Sequence, residues 1–254
     1  MPKNNHFSKY ADLFLNSIYN SPKGAIRLAV LQRDLLPYLI QNRDLQILDL
    51  GCGAGQISLW AASFGHKVDM VDLSTPLLNQ AKKNATLFGV MDKVNFYNAD
   101  IFNLPEEILN KKYDFIFCYA VLEWIEDINS IFNIFDNLLK SHGKLSLAYY
   151  NLSALEFIHN VFGNFNYLSQ GLKSKKAAKM TPQFPRYPVD VEKIYCRYNF
   201  RQIKQSGICC FYDYMKEKDR QANSLTSIIT RELIISGKKE FLPVARYIYE
   251  LLMK

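Results

Sequence analysis

The sequence is poor in the features that mark secreted, metal-stapled and membrane-spanning chains. Its five cysteines, Cys52, Cys118, Cys196, Cys209 and Cys210, form no CxxC pair and are odd in number. Neither a disulfide framework nor a metal site is expected from them; reduced core thiols are, with Cys52 and Cys118 in buried strand or turn positions. The opening residues Met1-Pro2-Lys3-Asn4-Asn5-His6 carry no apolar h-region, so no signal peptide is expected. No apolar run approaches the ~18 residues of a membrane span. The expectation is a soluble, cytoplasmic protein without a membrane partner. There is no internal repeat, no low-complexity tract and no evident His–Asp pair to act as a general base.

What is present suits one large domain, or one domain with an insertion. The 254 residues are 49% apolar, 22% charged and 14% aromatic, which supplies a core and argues against disorder. The net charge of +7 permits an anionic partner without proving one.

The chain is organised around Ile47-Leu48-Asp49-Leu50-Gly51-Cys52-Gly53-Ala54-Gly55-Gln56. An apolar run with an acid near its end predicts a buried parallel strand, three alternating glycines follow, and Ile57 to Ala62 takes up helical spacing. Glycines at such a turn let the backbone approach a ligand closely. A dinucleotide fingerprint would need a small residue at 56, and Gln56 stands there instead. The Asp-x-Gly-x-Gly-x-Gly form resembles motif I of the class I methyltransferases that use S-adenosylmethionine; taken alone it is equally a tight βα turn. Asp72 then closes the apolar run Val68 to Val71, at the distance where a carboxylate grips both ribose hydroxyls of an adenosine. Asp100 follows a third strand-like run, Val94 to Tyr97. In the methyltransferases this acid hydrogen-bonds the adenine amino group.

Strands and helices alternate from residue 46: strands at 46–51, 67–72, 93–98, 113–119 and 143–149, with helices at 54–64, 75–88 and 129–140. That rhythm predicts an α/β fold with a parallel sheet covered on both faces, and ligands in such sheets sit beyond the carboxyl ends of the strands. Gly51, Asp72, Asp100 and Tyr119 fall at those ends and converge on one crevice. Trp124, just beyond, reads as core packing. Upstream, 7–20 predicts an amphipathic helix, and a second runs from about 25 to 40 with Arg27 in its first turns. A cation there opposes the helix dipole, so Arg27 is either simply solvated or held by an anion. After the fifth strand, residues 151–188 are too long and irregular for a simple connection and predict an insertion capping the carboxyl edge. Its lysines, Lys175 and Lys176 among them, interleave with aromatics. That pattern suits single-stranded nucleic acid, or merely a solvated face. A helix at 190–200, a sixth strand at 203–211, a helical stretch at 221–238 and a closing edge strand at 245–252 complete seven strands.

Several stretches outside the glycine turn resemble the bacterial tRNA 5-carboxymethoxyuridine (wobble uridine) methyltransferase family. They are Ile18 to Arg27, Ala120 to Trp124, Tyr150-Asn151 with His159-Asn160 and Gly163-Asn164-Phe165, Pro185-Arg186, Gly207, Phe211 to Lys218, and Arg246-Tyr247-Ile248. The likeness runs over nearly the whole chain. It implies a Rossmann-like, seven-stranded, mostly parallel sheet, with N-terminal helices (1–44), a cofactor-binding core (45–150), the cap (151–188) and the rest of the sheet (189–254). It implies methyl transfer from S-adenosylmethionine to a carboxylate of the modified uridine in the tRNA anticodon stem-loop. Cofactor contacts are then expected from Arg27, Gly51, Cys52, Gly53, Gly55, Asp72, Leu73, Asp100, Ile101 and Tyr119. Substrate contacts are expected from Tyr19, Lys23, Tyr150, Asn151, His159, Asn164, Lys175, Lys176 and Arg186. Two positions depart from the family pattern: Cys52 replaces a third consecutive glycine and Tyr119 a histidine. A carboxylate nucleophile is ionised at neutral pH, so no catalytic acid or base is expected and catalysis is alignment. Arg186, Lys23 and Arg27 are the cations available to hold that carboxylate. A small-molecule O-methyltransferase, and a non-catalytic RNA-binding module, are the alternatives.

Overall fold

The computed structural model describes residues 21–172 and 182–254. The expected helix at 7–20, and with it Tyr19, Lys175 and Lys176, lies outside these. The chain enters α1 (Pro22–Ile40) with Pro22 in its first turn and the Ser21 hydroxyl accepting from the Gly24 amide at 3.1 Å; both are N-terminal signals. There follow β1 (Gln46–Leu50), α2 (Gln56–Ala62), β2 (Lys67–Asp72), α3 (Thr75–Leu87), β3 (Val94–Asn98), the short α4 (Glu106–Leu109), β4 (Tyr113–Tyr119), α5 (Ile128–Leu138) and β5 (Leu139–Tyr150). The remainder is α6 (Leu152–Val161), α7 (Phe165–Ser169), α8 (Pro188–Arg197), β6 (Arg201–Ile208), α9 (Glu217–Ala222), α10 (Leu225–Ile235) and β7 (Tyr247–Met253).

The seven strands form one sheet in the order β3-β2-β1-β4-β5-β7-β6. β1 to β5 are mutually parallel, and β7 runs antiparallel to both β5 and β6. Strand residues alternate between two cores. Ile47, Phe115 and Phe117 pack with α1 and α2 on one face; Leu48, Leu50, Ile116 and Cys118 pack with α5 and α8 on the other. This is the period-2 consequence of a sheet buried on both sides.

Three expectations need correction. The last strand does not close the sheet: β7 is inserted between β5 and β6, and its five central residues are buried. The edge belongs to β6, where Arg201, Gln202, Lys204 and Gln205 supply the polar side chains that keep an edge from pairing with another chain. The cap is not irregular, because α6 and α7 occupy much of its described part. Its two ends meet: Asn151 and Arg186 form a parallel bridge, and the Arg186 amide donates to the Tyr150 carbonyl at 2.9 Å. The stretch 221–238 is likewise broken, with α9 ending before α10 begins.

Candidate active site

The site is built at the carboxyl ends of β1, β2 and β4. Gly51, Gly53 and Gly55 hold φ of +79°, +56° and +81°, where a side chain costs about 1–2 kcal/mol. A Cβ on Gly51 would also stand 2.5 Å from Val121 Cγ2, a branched side chain with little freedom to move. The Gly53 amide donates to Asp72 Oδ2 at 2.7 Å and the Ser74 amide to Oδ1 at 2.8 Å. Asp72 is therefore fixed by backbone alone, and each oxygen keeps a lone pair for a hydroxyl. Burial raises its pKa, and the two amides only partly oppose that.

A cavity of about 300 Å3 opens over this turn, large enough for a small ligand. Arg27, Gly51, Cys52, Gly53, Asp72, Leu73, Asp100, Ile101 and Tyr119 all line it, so the structure brings nine of the ten expected cofactor-side residues together. Gly55 is the exception. It caps α2, and a Cβ there would meet Met70 Cε at 2.5 Å, so its smallness serves the packing of helix on strand. Asp100 turns its Oδ1 onto the Phe102 amide at 3.0 Å, which shapes the loop after β3. The Tyr119 ring stacks on Phe117, and its hydroxyl meets Ser146 Oγ at 2.7 Å. Burial pushes this phenol well above its ordinary pKa, so position 119 contributes a neutral wall and a hydrogen bond but no titrating group.

Of the lining residues that the sequence does not flag, Trp124 and Asp49 bear most on the chemistry. Trp124, expected in the core, stands half-buried in the cavity wall. The single turn Leu122–Trp124 sends Leu122 into the core instead. Asp49 is 3% exposed and borders the cavity; its Oδ2 accepts from the Ser58 hydroxyl, and its Oδ1 has no partner among the described residues. Burial raises Asp49 to about 7, with the neighbouring Asp72 charge adding to the shift. An acid preceding a glycine turn was the available signal.

The substrate-side expectations scatter. Lys23 pairs with Asp213 at 2.5 Å. Asn151 is wholly buried and structural: its amide nitrogen reaches the carbonyls of Leu242, Pro243 and Ala245 at 3.2, 3.3 and 2.9 Å, while its Oδ1 caps α6 through the Ser153 amide. That makes it a clamp between cap and β7, and no ligand contact. His159 and Asn164 hydrogen-bond each other at 3.0 Å out on the cap, with the imidazole against Tyr167. Arg186 directs Nη2 to the carbonyls of Ile125 and Glu126 and lies over Phe184; it holds the loop after β4 and does not line the cavity. Tyr150, at the end of β5, borders a second, small recess beneath α6. Among the described residues no group of three or more His, Cys, Asp or Glu side chains could hold a metal ion, and no helix is long and apolar enough to cross a membrane.

Comparison with known proteins agrees with this geometry. A family profile described as a methyltransferase domain matches residues 41–186. The tRNA 5-carboxymethoxyuridine methyltransferase of Escherichia coli strain K12 is 31% identical over 246 residues, covering 96% of this chain and 94% of that protein. The chain belongs to the tRNA 5-carboxymethoxyuridine methyltransferase family. A Coxiella burnetii ubiquinone biosynthesis O-methyltransferase is 29% identical over 65% of this chain and 70% of its own. Among solved structures, the magnesium protoporphyrin IX methyltransferase of Synechocystis PCC 6803 with bound SAH superposes with a TM-score of 0.68. It covers 99% of this chain and 97% of its own at 15% identity, which is a likeness of fold. The cofactor of this family member is S-adenosylmethionine, and the crevice fits it: a glycine cradle that side chains would fill, a preset carboxylate at Asp72, and an orphaned buried carboxylate oxygen at Asp49 suited to a cation.

Proposed function

We propose that the protein methylates the carboxylate of 5-carboxymethoxyuridine at the tRNA wobble position, binding its substrate through the anticodon stem-loop. The observation that carries this reading is the extent of the likeness to the Escherichia coli enzyme. It spans 96% of the chain, whereas the ubiquinone-pathway relative covers 65%.

In this reading Asp72 takes the ribose hydroxyls, Asp100 and Ile101 border the adenine, and Arg27 holds the methionine carboxylate from the first turns of α1. Bound S-adenosylmethionine supplies an electrophilic methyl, and its transfer to a carboxylate oxygen leaves S-adenosylhomocysteine (SAH), a neutral thioether, with no proton to move. The chain's own task is orientation and exclusion of water, with Trp124, Ile125 and Tyr119 forming the dry wall. The test is mass spectrometry of tRNA nucleosides from cells lacking the protein. The free acid should replace the methyl ester, and an undiminished ester removes the proposal. Lys175 and Lys176 are the expected phosphate contacts. Neutralising each should lower the log–log salt slope of stem-loop binding by about 0.7, the single-strand value.

A further inference from the structure

Lys23, Asp213 and Arg246 meet beneath the cap although they are far apart in the sequence. Asp213 is 8% exposed and accepts from both cations, Lys23 Nζ on Oδ1 and Arg246 Nη1 on Oδ2, each at 2.5 Å. Burial works against ionisation of Asp213, but Arg246 and Lys23 outweigh it and hold the carboxyl below its usual range. One carboxylate therefore balances two cations, of which Arg246 lines a recess walled besides by Asp213, Tyr150, Tyr214, Val244 and the α6 side chains Ala154, Leu155 and Ile158.

The guanidinium lies 5.2 Å over the Tyr150 ring, which fixes its plane. Among the described residues only its Nη1 is committed to a carboxylate. Its Nε and Nη2 hydrogens are left to donate to one oxygen of an anionic ligand. Arg246 immediately precedes β7, whose Tyr247 pairs with Tyr150 of β5. It therefore stands at the carboxyl edge of the sheet, on the same side as the cofactor crevice. The recess holds about 10 Å3, space for roughly one water-sized group such as a single carboxylate oxygen.

We infer that Arg246, held by Asp213 and Tyr150, is the specificity-determining cation that takes one oxygen of the acceptor's carboxylate. This rests on the substrate reading above and deepens it. The other cations stand elsewhere: Arg186 on loop carbonyls, Arg27 in the wall of the cofactor crevice, and Lys23 on Asp213 but outside the lining of the recess. Holding the acid but not its ester also gives a reason for product to leave, since the esterified oxygen carries no charge for the guanidinium.

The test uses the full-length protein and synthetic anticodon stem-loops carrying either 5-carboxymethoxyuridine or its methyl ester. Wild type should bind the acid at least about tenfold tighter than the ester, the worth of one charge-assisted hydrogen bond. Arg246→Gln should bring that ratio to near one and raise KM for the acid substrate while SAH affinity holds; Arg246→Lys should restore part of the ratio. A merely structural arginine would lower both affinities together and leave the ratio intact, which overturns the inference. Should Arg246→Gln lose SAH binding through misfolding, Asp213→Asn decides. It leaves both cations without their counter-charge, so the acid-to-ester ratio should rise, and an unchanged ratio is contrary. A wild type that makes no ester overturns the substrate reading and this inference together. One that makes the ester while Arg246→Gln keeps the ratio overturns the inference alone.

Discussion

The cofactor crevice and the recess at Arg246 both lie at the carboxyl edge of the sheet and are built by opposite strategies. The crevice is mostly backbone: glycines at positive φ, amides aimed at one carboxylate, and residues drawn from the ends of consecutive strands. The recess is mostly side chain: Arg246 held by Asp213, itself paired with Lys23 of α1, with Tyr150 at the end of β5 and Tyr214 beside them. A site written in local backbone is fixed as soon as its βαβ units form. One written in distant side chains exists only when the whole sheet has closed. The two should therefore fail separately.

Asp72→Ala tests that separation with the largest effect. Losing a carboxylate that joins the glycine turn to the ribose should weaken SAH binding by roughly a hundredfold, two charge-assisted hydrogen bonds' worth. Calorimetry checks this, and stem-loop affinity should fall by less than about threefold. A parallel loss of RNA affinity would mean that the two regions are one cooperative site.

Within the crevice, Gly51→Ala should cost more than Gly55→Ala. Both pay about 1–2 kcal/mol for a left-handed backbone, but the new methyl meets the stiff Val121 in one case and the movable end of Met70 in the other. Denaturant unfolding should rank them so, with only Gly51→Ala abolishing SAH binding.

Two buried acids sharpen the contrast by pH. Asp49 lines the crevice and Glu250 sits 1% exposed within β7; burial raises both to about 7. A folded pKa above the unfolded value contributes stability that is fully present below the unfolded pKa and lost as pH rises through 7. Asp49→Asn and Glu250→Gln should each raise the apo Tm at pH 8, by a stability on the order of 2 kcal/mol, and leave it unchanged below pH ~4. Only Asp49→Asn should weaken SAH binding. Equal cofactor affinity in both variants would break the assignment of Asp49 to the site.

The smallest effect concerns the clamp. Asn151→Ala should cost about 1–2 kcal/mol of stability through the lost cap and buried amide contacts, measured in urea, with SAH affinity untouched.

The same contrast explains what could be read from the sequence. The glycine turn, Asp72, Asp100 and Tyr119 were legible because each follows its own strand directly, and strand ends converge by topology. Trp124 was misassigned because one short turn decides which of two nearby apolar residues faces the core. β7, last in the chain, reads as an edge from its position alone, although the polar content of β6 marks β6 as the edge. Asn151 looked like a ligand contact because its partners, the carbonyls at 242–245, have no sequence signature. The Lys23–Asp213–Arg246 triad was invisible for the same reason: no periodicity links residues that only the closed sheet brings together.

The central claim is methyl transfer to an acid, with the crevice presenting the donor and the cap the acceptor. It is tested most directly by incubating purified protein with S-adenosylmethionine and a stem-loop carrying 5-carboxymethoxyuridine, then resolving the nucleosides by mass spectrometry before and after mild alkali. The account predicts one added methyl that alkali removes, as an ester must lose it. An alkali-stable methyl on base or ribose, or an untouched acid while SAH still binds, would contradict it.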